Sequence, residues 1–378
     1  MKNIFILVGE RSADIHAAEV IKQIKQKEPD IECWGIGGKR MQACGFESIF
    51  PFEKFSIMGF IEVISHLFFI MKVLKKIKQE LTFRKPDLVL LVDYPGLNIK
   101  IGKIAHSLGM PVLYYISPQV WAWKKKRVHT IAKIANMVAV IFPFEKEFYE
   151  EVDARVEFVG HPISEEIIIQ ETREEFAKTH DIDTKKKWLG FIPGSRNVEI
   201  KRILPIIVAV INKLEKCYAG QYEFIISQAD TVSEKLFDKI ILPIKDFVHL
   251  THNSHALMNY SYIVVCKSGT STLETAYLGT PMIVVYKVAG LSYLIARAFI
   301  KIKIISLANI VLGKKVVPEL LQKNATPEKI ISHILEYLNN DDYYVAIQKD
   351  LKKIKKLIGT YNTSEKVAGF ALDIINET

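Results

Sequence analysis

The amino-acid sequence predicts an α/β chain made of two doubly wound domains facing a cleft, each a parallel sheet wrapped by helices. Three observations carry that expectation. Short apolar runs alternate with helical patterns along most of the chain, as parallel strands joined by crossover helices require. The alternation pauses after Gly160-His161-Pro162 and restarts near residue 188. Glycine- and hydroxyl-rich turns follow several of the apolar runs, and a doubly wound sheet receives its ligands there, beyond the carboxyl ends of its strands.

In the first domain, taken as 1–162, strands are expected near 3–8, 31–36, 87–92, 111–116 and 137–142. Leu88-Val89-Leu90-Leu91-Val92 is continuously apolar, the pattern of a central parallel strand buried on both faces. The charged stretch from His161 to about 187 reads as a linker. The second domain, taken as 185–358, is expected to hold strands near 188–192, 222–227, 262–266 and 281–285. A last helical pattern at about 362–376, within 360–378, can pack on either domain. The chain shows no internal repeat and no low-complexity tract.

Bulk properties fit a large folded enzyme. The 378 residues suit two domains, and 49% hydrophobic with 25% charged residues is ordinary for a soluble protein. The 51 basic against 42 acidic residues leave a net charge of +9, which favours anionic partners such as nucleotides, phosphorylated substrates or an acidic membrane surface. Cys33, Cys44, Cys217 and Cys266 lack a metal-ligand spacing and read as reduced thiols of a cytoplasmic protein. The amino terminus reads as a first strand, not a signal peptide. No apolar run is long enough to span a bilayer.

The turns carry the chemistry. Val264-Val265-Cys266-Lys267-Ser268-Gly269-Thr270-Ser271-Thr272-Leu273-Glu274 reads as a buried strand running into a helix. Small residues let amides approach a ligand there, and the helix N-terminus adds partial positive charge, which suits a diphosphate. Glu274, just over one helical turn later, can accept hydrogen bonds from a ribose. Pro193-Gly194-Ser195-Arg196 follows another apolar strand, and Gly9-Glu10-Arg11-Ser12-Ala13-Asp14 follows the first.

Asp93 ends the most apolar strand of the first domain, and Glu10 ends the first strand in the same way. A carboxylate at such a position can take a proton from an attacking hydroxyl; the competing structural role is a helix cap for Asp93 and a turn support for Glu10. Ser117-Pro118-Gln119-Val120-Trp121-Ala122-Trp123 precedes four cations, Lys124 to Arg127. It reads equally as a site for a phosphorylated, partly apolar molecule and as a core tryptophan pair beside a solvated helix start. His161 in Gly-His-Pro reads first as part of a shaped turn.

Residues 56–78 have apolar positions on too many sides for one narrow core stripe. Met58, Phe60, Phe68, Phe69 and Ile70 form an apolar body, and Lys72, Lys75, Lys76 and Lys78 cluster at its end. Such a segment can lie in a lipid headgroup region or pack as a core helix. Residues 291–305 offer a weaker segment of the same kind.

Taken together, Gly9-Glu10 with Ser12 and Asp14, Met58-Gly59, Glu62-Val63, Asp93, Ser117-Pro118, Val120-Trp121-Ala122-Trp123, Lys126-Arg127-Val128, Pro143-Phe144-Glu145, Gly160-His161, Pro193-Gly194-Ser195-Arg196, Ser268-Gly269-Thr270, Leu273-Glu274, Asn309 and Leu320-Leu321-Gln322 resemble the lipid-A-disaccharide synthases. The match runs in unchanged order from about residue 4 to 322. The resemblance implies two Rossmann-like domains of the GT-B type. It implies an inverting transfer of 2,3-diacylglucosamine from its UDP derivative to the 6-hydroxyl of 2,3-diacylglucosamine 1-phosphate, forming the β-1,6 disaccharide of lipid A.

Carried over residue by residue, the resemblance gives Ser195, Ser268, Gly269, Thr270 and Ser271 to the UDP diphosphate and Glu274 to its ribose. Arg196 meets the phosphate that gains charge as UDP leaves, and Asn309 and Gln322 hold sugar or phosphate. Asp93 is the general base and Glu10 orients the acceptor or the base, although the two can exchange roles. No metal or cofactor is required, and no nucleic acid is expected. The enzyme is expected in the cytoplasm, peripheral on the cytoplasmic face of the inner membrane, and the sequence permits a homo-oligomer.

Ala13 and Ala17 stand where the family usually has glycine, Ala308 where relatives often have proline, and Tyr94 where some have a smaller residue. A UDP-sugar epimerase, another GT-B enzyme using UDP-N-acetylglucosamine, and a carrier without turnover are the rival readings. An epimerase has no use for the apolar surface at 56–74.

Overall fold

A computed structural model describes residues 2–52, 67–121, 126–288, 304–359 and 362–377, with side chains of the helix starting at Leu67 described from Ile70 onward. The chain divides into two units, Met1–Glu165 with Thr360–Thr378, and Glu166–Gly359. Each is built on one parallel sheet.

The first sheet has the order β3-β2-β1-β4-β5-β6-β7. Its strands are β1 (Asn3–Leu7), β2 (Glu32–Ile36), β3 (Phe46–Ser48), β4 (Leu88–Val92), β5 (Val112–Tyr115), β6 (Met137–Val140) and β7 (Val156–Phe158). All neighbours pair in parallel. The order of strand addition reverses between β1 and β4, where Leu7 lies opposite Leu91. Every residue of β4 is buried, as its unbroken apolar run predicts.

The second sheet has the order β10-β9-β8-β11-β12-β13. Its strands are β8 (Lys187–Ile192), β9 (Tyr222–Ser227), β10 (Val248–Thr251), β11 (Ile263–Lys267), β12 (Met282–Tyr286) and β13 (Glu319–Leu321). Cys266 of β11 lies opposite Ile192 of β8, so the turns that leave these strands emerge side by side.

The nine strands expected from sequence all form, and β3, β7, β10 and β13 are additional. These four are the edge strands of their sheets. An edge strand buries less of itself, so short mixed segments such as Phe46-Glu47-Ser48 and Val156-Glu157-Phe158 serve without a long apolar run.

The stretch expected to be a linker holds a helix, Arg173–His180. Thr172 and Glu175 form a capping box at its start. Phe176 is fully buried and its ring lies 6.0 Å from that of Trp188, which fastens the helix to the second unit. The Arg173 guanidinium covers the Trp188 ring at 4.1 Å. The C-terminal helix, Thr363–Glu377, belongs to the first unit and packs on the helix Arg11–Lys27. Ala13, Ala17 and Ala18 are buried on that first helix, so its alanines serve close packing.

Asp14 ties this helix to the loop after β2. Its carboxylate accepts from the main-chain amides of Gly38 at 2.7 Å, Arg40 at 3.1 Å and Met41 at 3.3 Å, and it is 4% exposed. A β-carbon at Gly38 would sit 2.5 Å from Asp14 Oδ2, so glycine is required there. Asp14→Ala strips the acceptor from amides that have few other partners. A loss of about 2–3 kcal/mol is expected, because hydrogen bonds to charged groups are the stronger class. Urea unfolding followed by circular dichroism checks it; an unchanged midpoint contradicts this role.

Candidate active site

In the first unit the carboxyl ends of β1 and β4 bring Glu10 and Asp93 into one neighbourhood. Glu10 is exposed and caps the helix Arg11–Lys27 with extended backbone. Asp93 and Tyr94 both take left-handed backbone, with φ of 51° and 41°, before Pro95 opens the next helix, Pro95–Ser107. Such backbone costs an L-residue roughly 1–2 kcal/mol each, and strain of this kind concentrates where a side chain must be aimed. Ile116, at the end of β5, is also left-handed with φ of 57°. That is unusual for a β-branched residue.

Burial pushes the Asp93 carboxyl up to about 6, and the negative charge of Glu10 adds to the rise; the Tyr94 amide and His16 pull the other way. A carboxylate so tuned is still largely ionised near neutrality and is a better proton acceptor than an ordinary aspartate. Tyr94 closes over Gly9: a β-carbon at Gly9 would lie 2.1 Å from its ring. The larger residue at 94 thus fits because the first turn keeps its glycine at position 9.

Glu145, for which the sequence reading gave no role of its own, organises the neighbouring turns. It begins the helix Pro143–Glu150 and accepts from Phe142 N at 3.2 Å, Ile141 N at 3.3 Å and Trp121 Nε1 at 3.2 Å. Burial raises its carboxyl to about 7 against the pull of those donors. Trp121 also meets Phe144 edge-on at 5.5 Å, so this tryptophan is held by the fold; Trp123 and Lys124–Lys125 lie outside the described residues. His161 is buried, its Nδ1 accepts from Ile163 N at 3.1 Å, and burial lowers its pKa to about 3. It is a neutral turn residue, as the Gly-His-Pro motif suggests.

The second unit brings the two other turns together through Glu199. One carboxylate oxygen accepts from Ser195 N at 3.0 Å and the other meets Lys267 Nζ at 2.9 Å. Gly194 has φ of 118°, and a β-carbon there would lie 2.4 Å from Glu199. Ser195 and Arg196 are exposed, with Arg196 in extended backbone at the N-cap of the helix Asn197–Cys217. Among the described residues no hydrogen bond or ion pair holds the Arg196 guanidinium.

Beside it, Gly269 caps the helix Thr270–Leu278. Ser268 is nearly buried, Thr270 is exposed, and the Ser271 hydroxyl donates to Lys267 O at 3.0 Å. The helix N-terminus therefore presents Thr270 outward while Ser271 braces the turn. Glu274 sits deeper. Burial, with the charge of Glu166 second, raises its carboxyl to about 7, and His255 Nε2 lies 4.0 Å away.

Asn309 departs from the expected ligand-holding role. Its side chain is fully buried, with Oδ1 accepting from Val316 N at 2.7 Å and Val317 N at 2.9 Å. Its Nδ2 donates to Val317 O and Glu319 Oε1, both at 2.9 Å. Each hydrogen-bonding position is thus used by the fold. Glu319, which sequence reasoning missed, in turn accepts from Ile305 N at 3.0 Å and Ser306 N at 2.9 Å. The Ser268 hydroxyl donates to Ile305 O at 3.4 Å, and Thr272 Oγ1 accepts from Leu307 N at 3.2 Å. Asn309 and Glu319 therefore pin the 305–307 segment against the Ser-Gly-Thr turn. Gln322 has φ of 50° and a buried Nε2 with no partner among the described residues.

Met58 and Phe60 lie outside the described residues, as do the side chains of Phe68 and Phe69. Ile70 is half-buried against the first unit's core. Along the same helix, Leu67–Arg84, Met71 is 49% exposed and Lys72, Lys75 and Lys78 are exposed. Lys76 is bound internally to Ile49 O at 2.9 Å. Among the described residues no helix is long and apolar enough to cross a membrane.

Comparison with known proteins follows the same lines. The family model described as lipid-A-disaccharide synthetase matches residues 4–373. The lipid-A-disaccharide synthase of Trichlorobacter lovleyi is 35% identical over 378 residues, covering 100% of this chain and 98% of its own length. That of Nitrosococcus oceani is 38% identical over 360 residues, covering 94% and 92%. Among solved structures, UDP-GlcNAc 2-epimerase from Neisseria meningitidis bound to UDP-GlcNAc has a TM-score of 0.63 at 16% identity, covering 99% of this chain and 100% of that one. The calicheamicin glycosyltransferase CalG4 has a TM-score of 0.66 at 11% identity, covering 100% and 99%. Likeness at such identity shows the fold alone, the two-domain α/β architecture of the GT-B type, and leaves the epimerase reading without support of its own. Matched over nearly its whole length by the family model and by these relatives, the chain belongs to the lipid-A-disaccharide synthase family.

Proposed function

We propose that this chain transfers 2,3-diacylglucosamine from UDP-2,3-diacylglucosamine to the 6-hydroxyl of 2,3-diacylglucosamine 1-phosphate, with Asp93 as the base. The observation that carries the assignment of the base is the half-buried Asp93 on strained backbone at the end of β4, its carboxyl raised to about 6. The acceptor hydroxyl loses its proton to Asp93 as its oxygen attacks the anomeric carbon. The bond to UDP breaks on the opposite face, so the configuration inverts.

The first unit takes the acceptor and the second the donor. Ser195, Ser268, Gly269 and Thr270 surround the diphosphate, with the N-terminus of the helix Thr270–Leu278 adding partial positive charge. Arg196 meets the charge that develops on the leaving phosphate; its permanently charged fork suits paired phosphate oxygens. Glu274 receives the ribose hydroxyls, and Gln322 offers its buried amide donor to sugar or phosphate.

Mass spectrometry of the products from UDP-2,3-diacylglucosamine and 2,3-diacylglucosamine 1-phosphate tests the function. A disaccharide 1-phosphate with equimolar UDP is expected, and an epimerised sugar nucleotide without disaccharide overturns it.

Asp93→Asn keeps the hydrogen bonding and size but cannot accept the proton, so turnover is expected to fall roughly a hundredfold or more with UDP binding nearly unchanged. Glu10→Gln costs less. Because the Glu10 charge helps raise Asp93, its removal moves the acid limb of the pH profile to lower pH. A reversed ranking of the two variants makes Glu10 the base.

Arg196→Ala is expected to lower turnover by about two orders of magnitude with the fold intact. Near-normal turnover by the folded variant removes it from the mechanism.

The membrane contact is proposed at the segment 56–71, with Met58, Phe60, Phe68, Phe69 and the exposed Met71 beside exposed lysines. Replacing Phe68, Phe69 and Met71 by Ser should weaken sedimentation with anionic vesicles while leaving detergent-assay turnover nearly unchanged. Equal sedimentation of variant and parent rejects this surface.

A further inference from the structure

The peptide that follows Asp93 is held more tightly than a helix start needs. The Asp93 amide continues the sheet by donating to Tyr115 O at 2.9 Å. Its carbonyl oxygen then accepts from two buried side chains, Asn98 Nδ2 at 2.7 Å and the Tyr114 hydroxyl at 3.0 Å. Asn98 Nδ2 also donates to Val92 O at 3.0 Å. Both side chains are 0% exposed.

A main-chain carbonyl buried at the end of a strand must find a backbone, side-chain or water partner. Here the donors converge on the residue whose backbone is left-handed, and on the one before it. Asn98 is oriented by its donor side alone, since its Oδ1 is buried without a partner among the described residues. Leaving an acceptor unsatisfied carries a desolvation cost. The fold tolerates it while keeping the amide group on the Asp93 carbonyl. Burial raises Tyr114 well above the usual phenol range, so its hydroxyl remains a donor across any working pH.

We infer that Asn98 and Tyr114 are positioning residues for the base, clamping the main chain of Asp93 in the left-handed turn that aims its carboxyl group at the acceptor hydroxyl. The inference rests on the reading of Asp93 as the base. Without the clamp the strained pair Asp93-Tyr94 relaxes toward extended backbone, and the carboxyl group swings away from its productive direction. Misplacement by about 1 Å is enough to cost about a hundredfold in rate. Neither side chain touches substrate in this scheme.

The test compares Asn98→Ala, Asn98→Ser and Tyr114→Phe with Asp93→Asn, using kcat, KM for the UDP donor, the pH profile and thermal melting. Asn98→Ala is expected to lower kcat about a hundredfold while KM for the donor stays within about twofold, because the donor binds to the second unit. Tyr114→Phe, which removes only an oxygen, lowers kcat about fivefold, and Asn98→Ser recovers part of the loss through its hydroxyl donor. Besides Tyr114, which stays neutral, the ionisable groups coupled to Asp93 are Glu10 and His16, from the first strand's end and its helix, and Glu145 in the helix Pro143–Glu150. They stay in place in these variants, so an acid limb moved to lower pH reports a carboxyl group that has swung toward water.

Folded Asn98→Ala and Tyr114→Phe proteins that melt lower yet keep kcat and the pH profile of the parent overturn the inference and leave a purely structural role. Should Asn98→Ala fail to fold, Tyr114→Phe decides alone. If Asp93→Asn itself keeps most of its turnover, the base reading fails and the inference falls with it; a dead Asp93→Asn beside unaffected clamp variants refutes the clamp alone.

Discussion

Where a parallel strand ends, the ladder stops pairing main-chain groups, and a turn leaving a buried sheet must find partners for them inside the protein. That constraint shapes each functional turn of this chain. Asp14 collects the amides of the loop after β2, Asn98 and Tyr114 hold the carbonyls after β4, and Glu145 holds the amides after β6. In the second unit Glu199 takes the amide after β8 and the lysine of β11, while Asn309 and Glu319 fix the segment before β13. One or two buried or half-buried polar side chains per turn give a rigid frame, and the exposed groups Glu10, Ser195, Arg196 and Thr270 project from that frame.

The same burial sets the chemistry. Carboxyl groups placed at these edges lose water, so Asp93, Glu145 and Glu274 all rise above the ordinary carboxylate range. Their neighbours then separate their uses. Glu145 is spent on two amides and an indole, and Glu274 lies beside His255. Asp93 carries Glu10 as a like charge, and its carboxyl stands on strained backbone; a group poised in this way is suited to exchange a proton.

Much of this was legible in the sequence because it rests on short-range patterns. The apolar run Leu88–Val92 announced a central strand, and the glycine-hydroxyl turns marked the ends of β1, β8 and β11. The edge strands β3, β7, β10 and β13 were not legible, since three or four mixed residues carry no periodic signal of their own. Nor was the helix Arg173–His180, although the Thr172-Arg173-Glu174-Glu175 capping box was there to be read. Asn309 was expected at a ligand because a motif preserves residue type without saying which way the side chain faces; its four internal hydrogen bonds decide that. Tyr114, Glu199 and Glu319 carried no signal at all, because their importance lies in partners contributed by other segments. Asn98 alone had a local clue, a polar residue one helical turn after Tyr94 in an otherwise apolar helix start.

The central claim is that the fold holds Asp93 as a base with a raised proton affinity. Its most direct test is a carbon-13 NMR titration of labelled aspartate carboxyls in the free protein, with Asp93 assigned by its loss in Asp93→Asn. A midpoint near 6 is expected from burial and the Glu10 charge, whereas a midpoint in the ordinary aspartate range, about 4 or below, contradicts the account.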